Sequence, residues 1–187
     1  MMDFSALYRS LQDPDLIRLA RYCEELTAAK PLPCWHDFRP SHATYLLGQL
    51  YVIELIDGGA DYFFKLSGSY MKEIYGIEIV DRPLSSLPDG ALKDTMRRNY
   101  AAVVASGNPV CGAGELVWPD ERRIGVERML IPFADEQGSL HTILGAVQCD
   151  VPLEILQLFR GNGPGRFIPH IVGARSAAPS SGDVPVS

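Results

Sequence analysis

The feature that most constrains the fold is a pair of strand-like runs that a turn joins and a short helix follows at once. The first run, LYVIELID, spans residues 50–57, and the second, DYFFKLSG, spans residues 61–68. The Asp-Gly-Gly sequence at 57–59 is a strong signal for a tight turn between two antiparallel strands. The run SYMKEIYG at 69–76 then predicts a short helix. The chain therefore forms a hairpin and leaves it through helices.

Three further strands are predicted after a long amphipathic helix. The helix, ALKDTMRRNYAAVVAS at 91–106, carries Leu92, Met96, Tyr100 and Val103 on one face. The strands that follow are VCGAGELVW (110–118), RIGVERMLIPF (123–133) and LHTILGAVQCDV (140–151). This order predicts five antiparallel strands that helices interrupt after the second. One face of such a sheet lies under the inserted helices, and the other is free for another cover.

Two amphipathic helices precede the sheet, in DFSALYRSLQ (3–12) and DLIRLARYCEELTAAK (15–30). Asp13 and Pro14 suit the N-cap and the first position of the second helix. Their apolar stripe is larger than one sheet face obviously needs. We therefore predict that the stripe is a docking surface, used first of all for homodimerisation; it consists of Phe4, Leu7, Leu11, Leu16, Leu19 and Leu26.

Composition and charge exclude several classes of protein. The 187-residue chain, with 47% hydrophobic and 21% charged residues, has the composition of one globular domain with extensions. Its formal net charge of −6 argues against sequence-independent nucleic-acid binding. No apolar run is long enough for a membrane span, and the N-terminus lacks the apolar region of a secretory signal, so we predict a cytoplasmic location. The cysteines are far apart, which favours buried free thiols: Cys23, Cys34, Cys111 and Cys149.

Six short motifs occur along the chain in an order that resembles a known family. They are LPCWHDFRP (32–40), YFFKLSGS (62–69), Tyr75-Gly76, SGNPV (106–110), ERMLIPF (127–133) and DEQG (135–138). Together they are similar to the bacterial single-domain PAS family, over about residues 30–150. Ser69 stands where the family usually has threonine.

The resemblance implies an α+β fold, a PAS-like five-stranded antiparallel sheet with helices on one face and an N-terminal helical extension. The extension would span residues 1–30 and the PAS-like domain residues 31–155. Residues 156–187 would form a flexible tail, because Gly, Pro and Ser dominate most of that region.

In such a fold, side chains of the sheet and of the helices would enclose a cavity. A few tyrosine hydroxyls among apolar walls are typical of a small-molecule site. Plain core packing explains the same residues, so both interpretations stay open. The candidate ligand-binding residues are Tyr62, Phe64, Leu66, Met71, Ile74, Tyr75, Met96, Tyr100, Val103 and Met129.

The residues identify no cofactor. The group Cys34, His36, Asp37 and His42 has no trusted zinc spacing. A haem-binding PAS domain needs an axial ligand that faces the cavity, and no histidine falls on the long helix. A flavin photoreceptor of this fold needs a cysteine on the short helix, which has none. Ser67-Gly68-Ser69 lacks the pattern of a nucleophile elbow. We therefore expect neither a metal site nor catalytic residues.

The resulting functional hypothesis is a cytoplasmic sensory or signalling module that acts through protein–protein interaction. A ligand in the core would bias the partner surface if it bound two arrangements of the fold with different affinity. The partner would be a second copy of the chain or a signalling protein such as a histidine kinase. Two alternatives remain open: an enzyme of small-molecule metabolism on the same fold, and a ligand-free adaptor.

Overall fold

The structure is a computed structural model that describes residues 2–28, 30–118, 120–159 and 166–169. Its helices are α1 (Ser5–Ser10), α2 (Pro14–Glu25), α3 (Ser69–Tyr75), α4 (Ala91–Ser106) and α5 (Leu153–Phe159), with 3-10 turns at Trp35–Asp37, Pro40–Leu46 and Leu84–Ser86. Its strands are β1 (Leu50–Ile56), β2 (Asp61–Ser67), β3 (Arg82–Pro83), β4 (Val110–Val117), β5 (Arg123–Ala134), β6 (Leu140–Cys149) and β7 (Arg166–Pro169).

The described strands form one antiparallel sheet in the order β3-β2-β1-β6-β5-β4-β7. The five long strands are those predicted from the sequence, so the prediction of an α+β fold around a five-stranded antiparallel sheet is confirmed. The hairpin turn between β1 and β2 has positive φ angles at Asp57 (47°), Gly58 (67°) and Gly59 (105°). Such angles are easy for glycine and tolerated by aspartate, which explains this turn sequence.

The inner face of the sheet lies under α3 and α4. The inner cluster, as we call the buried side chains at this interface, takes residues from both layers, including Ile53 and Phe64 from the sheet and Ile74 and Val103 from the helices. The helices inserted between β2 and β4 therefore cover one face, as predicted. Because the packing places apolar side chains from the sheet against those from the helices, the core is closed on this side.

The outer face of the sheet lies under α1 and α2. Leu7, Leu16 and Leu19 are fully buried there against Ile131 and Phe133 of β5. The prediction that the N-terminal stripe is a free docking surface was wrong, because the chain's own sheet covers it. The sequence shows the size of the stripe but not the partner that buries it.

The carboxylate of Glu127 holds the linker between α1 and α2 against the sheet. Glu127 of β5 accepts hydrogen bonds from the backbone N–H of Gln12 (3.1 Å) and of Asp13 (2.9 Å) in the linker between α1 and α2. The Asp13 side chain in turn accepts from the N–H of Asp15 and of Leu16, which caps α2 as predicted. Glu127 therefore fixes the place at which α2 begins on the outer face.

We expect Glu127→Ala to loosen the N-terminal helices without unfolding the sheet. The variant loses the acceptor for two backbone donors, which corresponds to about 1–2 kcal/mol for hydrogen bonds to a half-exposed charged group. Hydrogen exchange should become faster in α1 and α2 and stay unchanged in β6. Glu115→Ala is the matched control, since it removes only a surface ion pair with Arg123. Equal exchange in α1 and α2 for both variants would contradict the role of Glu127.

The C-terminal region contains two elements that composition did not predict. Leu156 of α5 is fully buried in the inner cluster, and β7 pairs with β4 from Gly114 to Val117. The prediction of a flexible tail from residue 156 was wrong for these two elements. Residues 160–165 and 170–187 lie outside the described residues, and the domain boundaries stay a prediction.

Gly68 joins β2 to α3, where the sequence suggests that glycine allows a sharp change of direction. Its φ of −71° and ψ of 166° are available to any residue, so the turn itself does not need glycine. A Cβ at this position would lie 2.2 Å from the carbonyl oxygen of Gly48. The missing side chain therefore allows two backbone segments to approach closely.

Candidate functional site

Three aromatic rings form the centre of the inner cluster. Tyr62 and Phe64 point from β2 toward Tyr100 of α4, and each is at most 2% exposed. The ring centroids of Tyr62 and Tyr100 lie 5.1 Å apart, and those of Phe64 and Tyr100 lie 6.3 Å apart, both in edge-on arrangements. Burial raises the pKa of the Tyr62 hydroxyl. The predicted placement of these residues between sheet and helices is confirmed.

The helices place four more of the predicted residues around these rings. Met71 and Ile74 of α3 and Met96 and Val103 of α4 are all buried in the inner cluster. Tyr75 ends α3, and its side chain lies outside the described residues. The structure thus brings seven of the predicted residues together, and whether they bind a ligand stays a prediction.

Leu66 does not belong to this site. Its side chain is 49% exposed, although simple alternation along β2 places it beside Tyr62 and Phe64. The register shifts between β1 and β2: Ile53 pairs with Phe64, but Val52 pairs with Leu66, so Lys65 is an extra residue. One extra residue inverts the alternation from that point on. The prediction that Leu66 faces the cavity was therefore wrong.

Met129 also lies outside the predicted site. It is buried, but on the outer face of the sheet, where it packs with residues covered by α1 and α2. Its neighbour Leu130 takes the inner position instead. Because successive side chains of a strand point to opposite faces, only one of the two can reach the inner cluster. The prediction chose the wrong member of this pair.

Sequence reasoning missed a close contact at the centre of the inner face. Tyr51 of β1 pairs with Gly145 of β6, and a Cβ on Gly145 would lie 2.1 Å from the Tyr51 ring. The tyrosine ring thus occupies the space that the glycine leaves open. A glycine inside an apolar strand indicates a close approach by another group. That this group is the Tyr51 ring can be recognised only once the register of β1 and β6 is known.

Asn99 of α4 was also missed. It lies three residues after Met96 and four before Val103, so it shares their helix face. Its amide nitrogen Nδ2 is buried and forms no hydrogen bond with any described residue. A buried donor without an acceptor costs about 1–3 kcal/mol. This amide is therefore a polar group, next to an apolar cluster, that an acceptor would stabilise.

The remaining candidates for chemistry lie apart from the inner rings. The Nε2 atom of His36 lies 3.3 Å from a carboxylate oxygen of Glu136 at the surface, and Cys34 is buried beside Ala134. Burial raises the pKa of the Cys149 thiol to about 12, so the thiol is neutral at pH 7. Among the residues that the structure describes, no group of three His, Cys, Asp or Glu side chains is arranged to hold a metal ion. No helix in the described part of the chain has the length and apolarity needed to cross a membrane.

Solved structures with a similar fold include two PAS domains. The PAS domain of BvgS from Bordetella pertussis is 18% identical, with a TM-score of 0.42, and the match covers 62% of this chain and 88% of that one. A PAS domain from Colwellia psychrerythraea is 16% identical, with a TM-score of 0.39 and coverages of 56% and 86%. VqmA from Vibrio cholerae, solved with ligand and DNA, is 16% identical, with a TM-score of 0.44 and coverages of 65% and 57%.

No curated protein matches this sequence. The model of a family described as a PAS domain, however, matches residues 11–148. The match includes α2, the hairpin, both inner helices and most of β6, and therefore well over half of the chain. PAS domains are generally sensory or signalling modules rather than catalytic ones. This protein is a member of the PAS-domain family.

Proposed function

We propose that this protein is a cytoplasmic sensory module that binds a small, mainly apolar molecule at the inner cluster and passes the signal to a partner protein. The ligand would lie against Tyr62, Phe64 and Tyr100, and it would carry one hydrogen-bond acceptor. The partner would be a second copy of the chain or a signalling protein such as a histidine kinase. No enzymatic step is part of this proposal.

The observation that supports the ligand most directly is the buried amide of Asn99. It lies on the helix face of Met96 and Val103, so it can supply one directional contact in an otherwise apolar site. Ligand sites in proteins commonly combine apolar walls with a few such polar groups. A ligand carbonyl that accepted from Nδ2 would remove the penalty of the unsatisfied donor. The hydrogen bond from Asn99 would therefore contribute to the binding free energy of the ligand.

The chemistry of the inner cluster supports a sensor rather than an enzyme. Its buried side chains are hydrophobic, and the polar residues that are buried as a whole among the described positions are Thr27, Thr95 and Thr142. Asn99 is partly exposed and contributes one buried amide nitrogen. An enzyme would need titratable groups that converge on the reacting atoms. A binding site for an apolar signal molecule needs only shape, apolar surface and one or two directional contacts.

The test is a native mass spectrum of the purified full chain and of Asn99→Leu. We expect the wild type to carry an additional small-molecule mass and the variant to lose it. In ligand-free protein, Asn99→Leu should raise the free energy of unfolding by about 1 kcal/mol, because the unsatisfied donor is gone. Ala101→Leu is the control, since it places the same side chain at an exposed position of α4.

The same spectrum reports the number of subunits. A dimer mass would agree with a homodimer that uses surfaces other than the buried stripe. If no preparation carries a bound mass and Asn99→Leu behaves like Ala101→Leu, plain core packing explains the inner cluster and the ligand proposal is wrong.

A further inference from the structure

A groove of about 730 Å³ lies between α2 and the 3-10 segment Pro40–Leu46, on the exposed side of the N-terminal helices. Its volume is in the range of small-molecule sites. None of its lining residues belongs to the inner cluster, so it is a separate place on the molecule. The side chains that matter for its chemistry are Arg18, Arg21, Tyr22, His42, Thr44 and Tyr45.

Two guanidinium groups give the groove its charge. Arg18 and Arg21 are exposed, lie one helical turn apart, and form no ion pair with any carboxylate among the described residues. The Arg18 guanidinium carbon lies 4.1 Å from the centroid of the Tyr45 ring. A guanidinium stacked on a ring in this way keeps its N–H edge available for a planar anionic group. Glu25 lines the same groove, and it is not paired with Arg21 within the described residues.

Aromatic rings form another part of the wall. The ring centroids of Tyr22 and His42 lie 4.8 Å apart. The Tyr22 hydroxyl accepts a hydrogen bond from the backbone N–H of Arg39 at 2.8 Å, which fixes the ring on α2 against the 3-10 segment. The Tyr45 hydroxyl is buried and has no hydrogen-bond partner among the described residues. The groove thus combines fixed ring surfaces with an unsatisfied polar group.

We infer that this groove binds a small organic anion that carries a planar ring. The anionic group pairs with Arg18 and Arg21, and the ring packs on Tyr22 and His42. Neither feature alone accounts for the arrangement: unpaired arginines suit a carboxylate or a phosphate, and the ring surfaces add affinity only for a flat apolar group. A nucleoside monophosphate and an aromatic carboxylate share this chemistry. The site is independent of the ligand proposed for the inner cluster.

The test is calorimetric titration of the full chain with four probes: AMP, salicylate, adenosine and inorganic phosphate. We expect at least one of the two ring anions to bind more tightly than both adenosine and phosphate. The double substitution R18Q/R21Q should weaken that binding by about tenfold or more, because two charge-assisted contacts are lost. R9Q is the control: Arg9 is an exposed arginine on α1 outside the groove, and its removal should leave the affinity unchanged.

The relative affinities of AMP and salicylate identify the chemical class of the ligand. Binding of AMP alone identifies a nucleotide-type site, and binding of salicylate alone identifies an aromatic-carboxylate site. The proposal is overturned if neither ring anion binds, if phosphate or adenosine binds as tightly as the better ring anion, or if R18Q/R21Q and R9Q have the same effect. Both arginines are exposed, so circular dichroism should show an unchanged fold for each variant.

Discussion

Replacing Gly68 with alanine is expected to lower the free energy of unfolding by about 3 kcal/mol or more. The new Cβ would lie 2.2 Å from the Gly48 carbonyl oxygen and 2.6 Å from that of Leu47. These are backbone atoms, so no side-chain rotation relieves the clash. Hydrogen bonds also hold the two segments together, from Gly68 N–H to Leu50 O (2.7 Å) and from Tyr70 N–H to Gly48 O (2.9 Å). Relief of the clash would lengthen both.

Chemical denaturation measures this effect directly, and Gly112→Ala is the matched control. A Cβ on Gly112 would lie 3.6 Å from the Arg128 side chain, which is an ordinary contact. The control should therefore stay within about 0.5 kcal/mol of the wild type, or become slightly more stable because alanine has less freedom in the unfolded chain. If the free energy of unfolding falls equally in both variants, the clash with the Gly48 carbonyl does not explain the destabilisation by Gly68→Ala.

Phe64→Ala and Leu66→Ala are expected to differ by about 2 kcal/mol or more in their effect on stability. Phe64 is fully buried against Tyr100, so its truncation leaves a cavity and costs about 3–5 kcal/mol. Leu66 is 49% exposed, so the loss of its side chain should cost under about 1 kcal/mol. Thermal unfolding should show the same order, at about 2–4 °C per kcal/mol for a chain of this size.

This pair of variants tests the bulge at Lys65. Regular alternation along β2 would bury both side chains and would give two large and similar effects. A large loss of stability in Leu66→Ala would show that the register shift between Val52 and Ile53 is wrong. Lys65→Ala, at the extra residue itself, is an additional control that should change stability little, since this side chain is exposed.

The local patterns of the sequence predicted most of the elements and their order. The Asp-Gly-Gly turn, the Asp13 cap of α2 and the period of α4 all depend on residues that are close together in the chain. Local chemistry determines such features almost completely, and the structure has each of them. The order of motifs also indicated the PAS family, which the family model confirms over residues 11–148.

The candidate site could be predicted only in part, because its composition depends on the register of distant strands. The inward placement of Tyr62, Phe64 and Tyr100 was predicted correctly, since their spacing places them on faces that sheet-and-helix packing buries. Leu66 and Met129 were wrong because one extra residue, or the choice between neighbours on a strand, decides which face a side chain occupies. No local pattern near residue 66 reports how β2 pairs with β1.

The amino-acid sequence alone determined where the main helices and the five long strands lie, which turns connect them and to which family the chain belongs, because short-range propensities and capping carry that information. The tertiary structure alone decided that α1 and α2 cover the chain's own sheet and that Gly68 lies against Gly48. It also decided that the amide nitrogen of Asn99 is buried with no partner in the described part of the chain. These features are contacts between segments far apart in the chain, and their geometry is defined only after the whole sheet has formed.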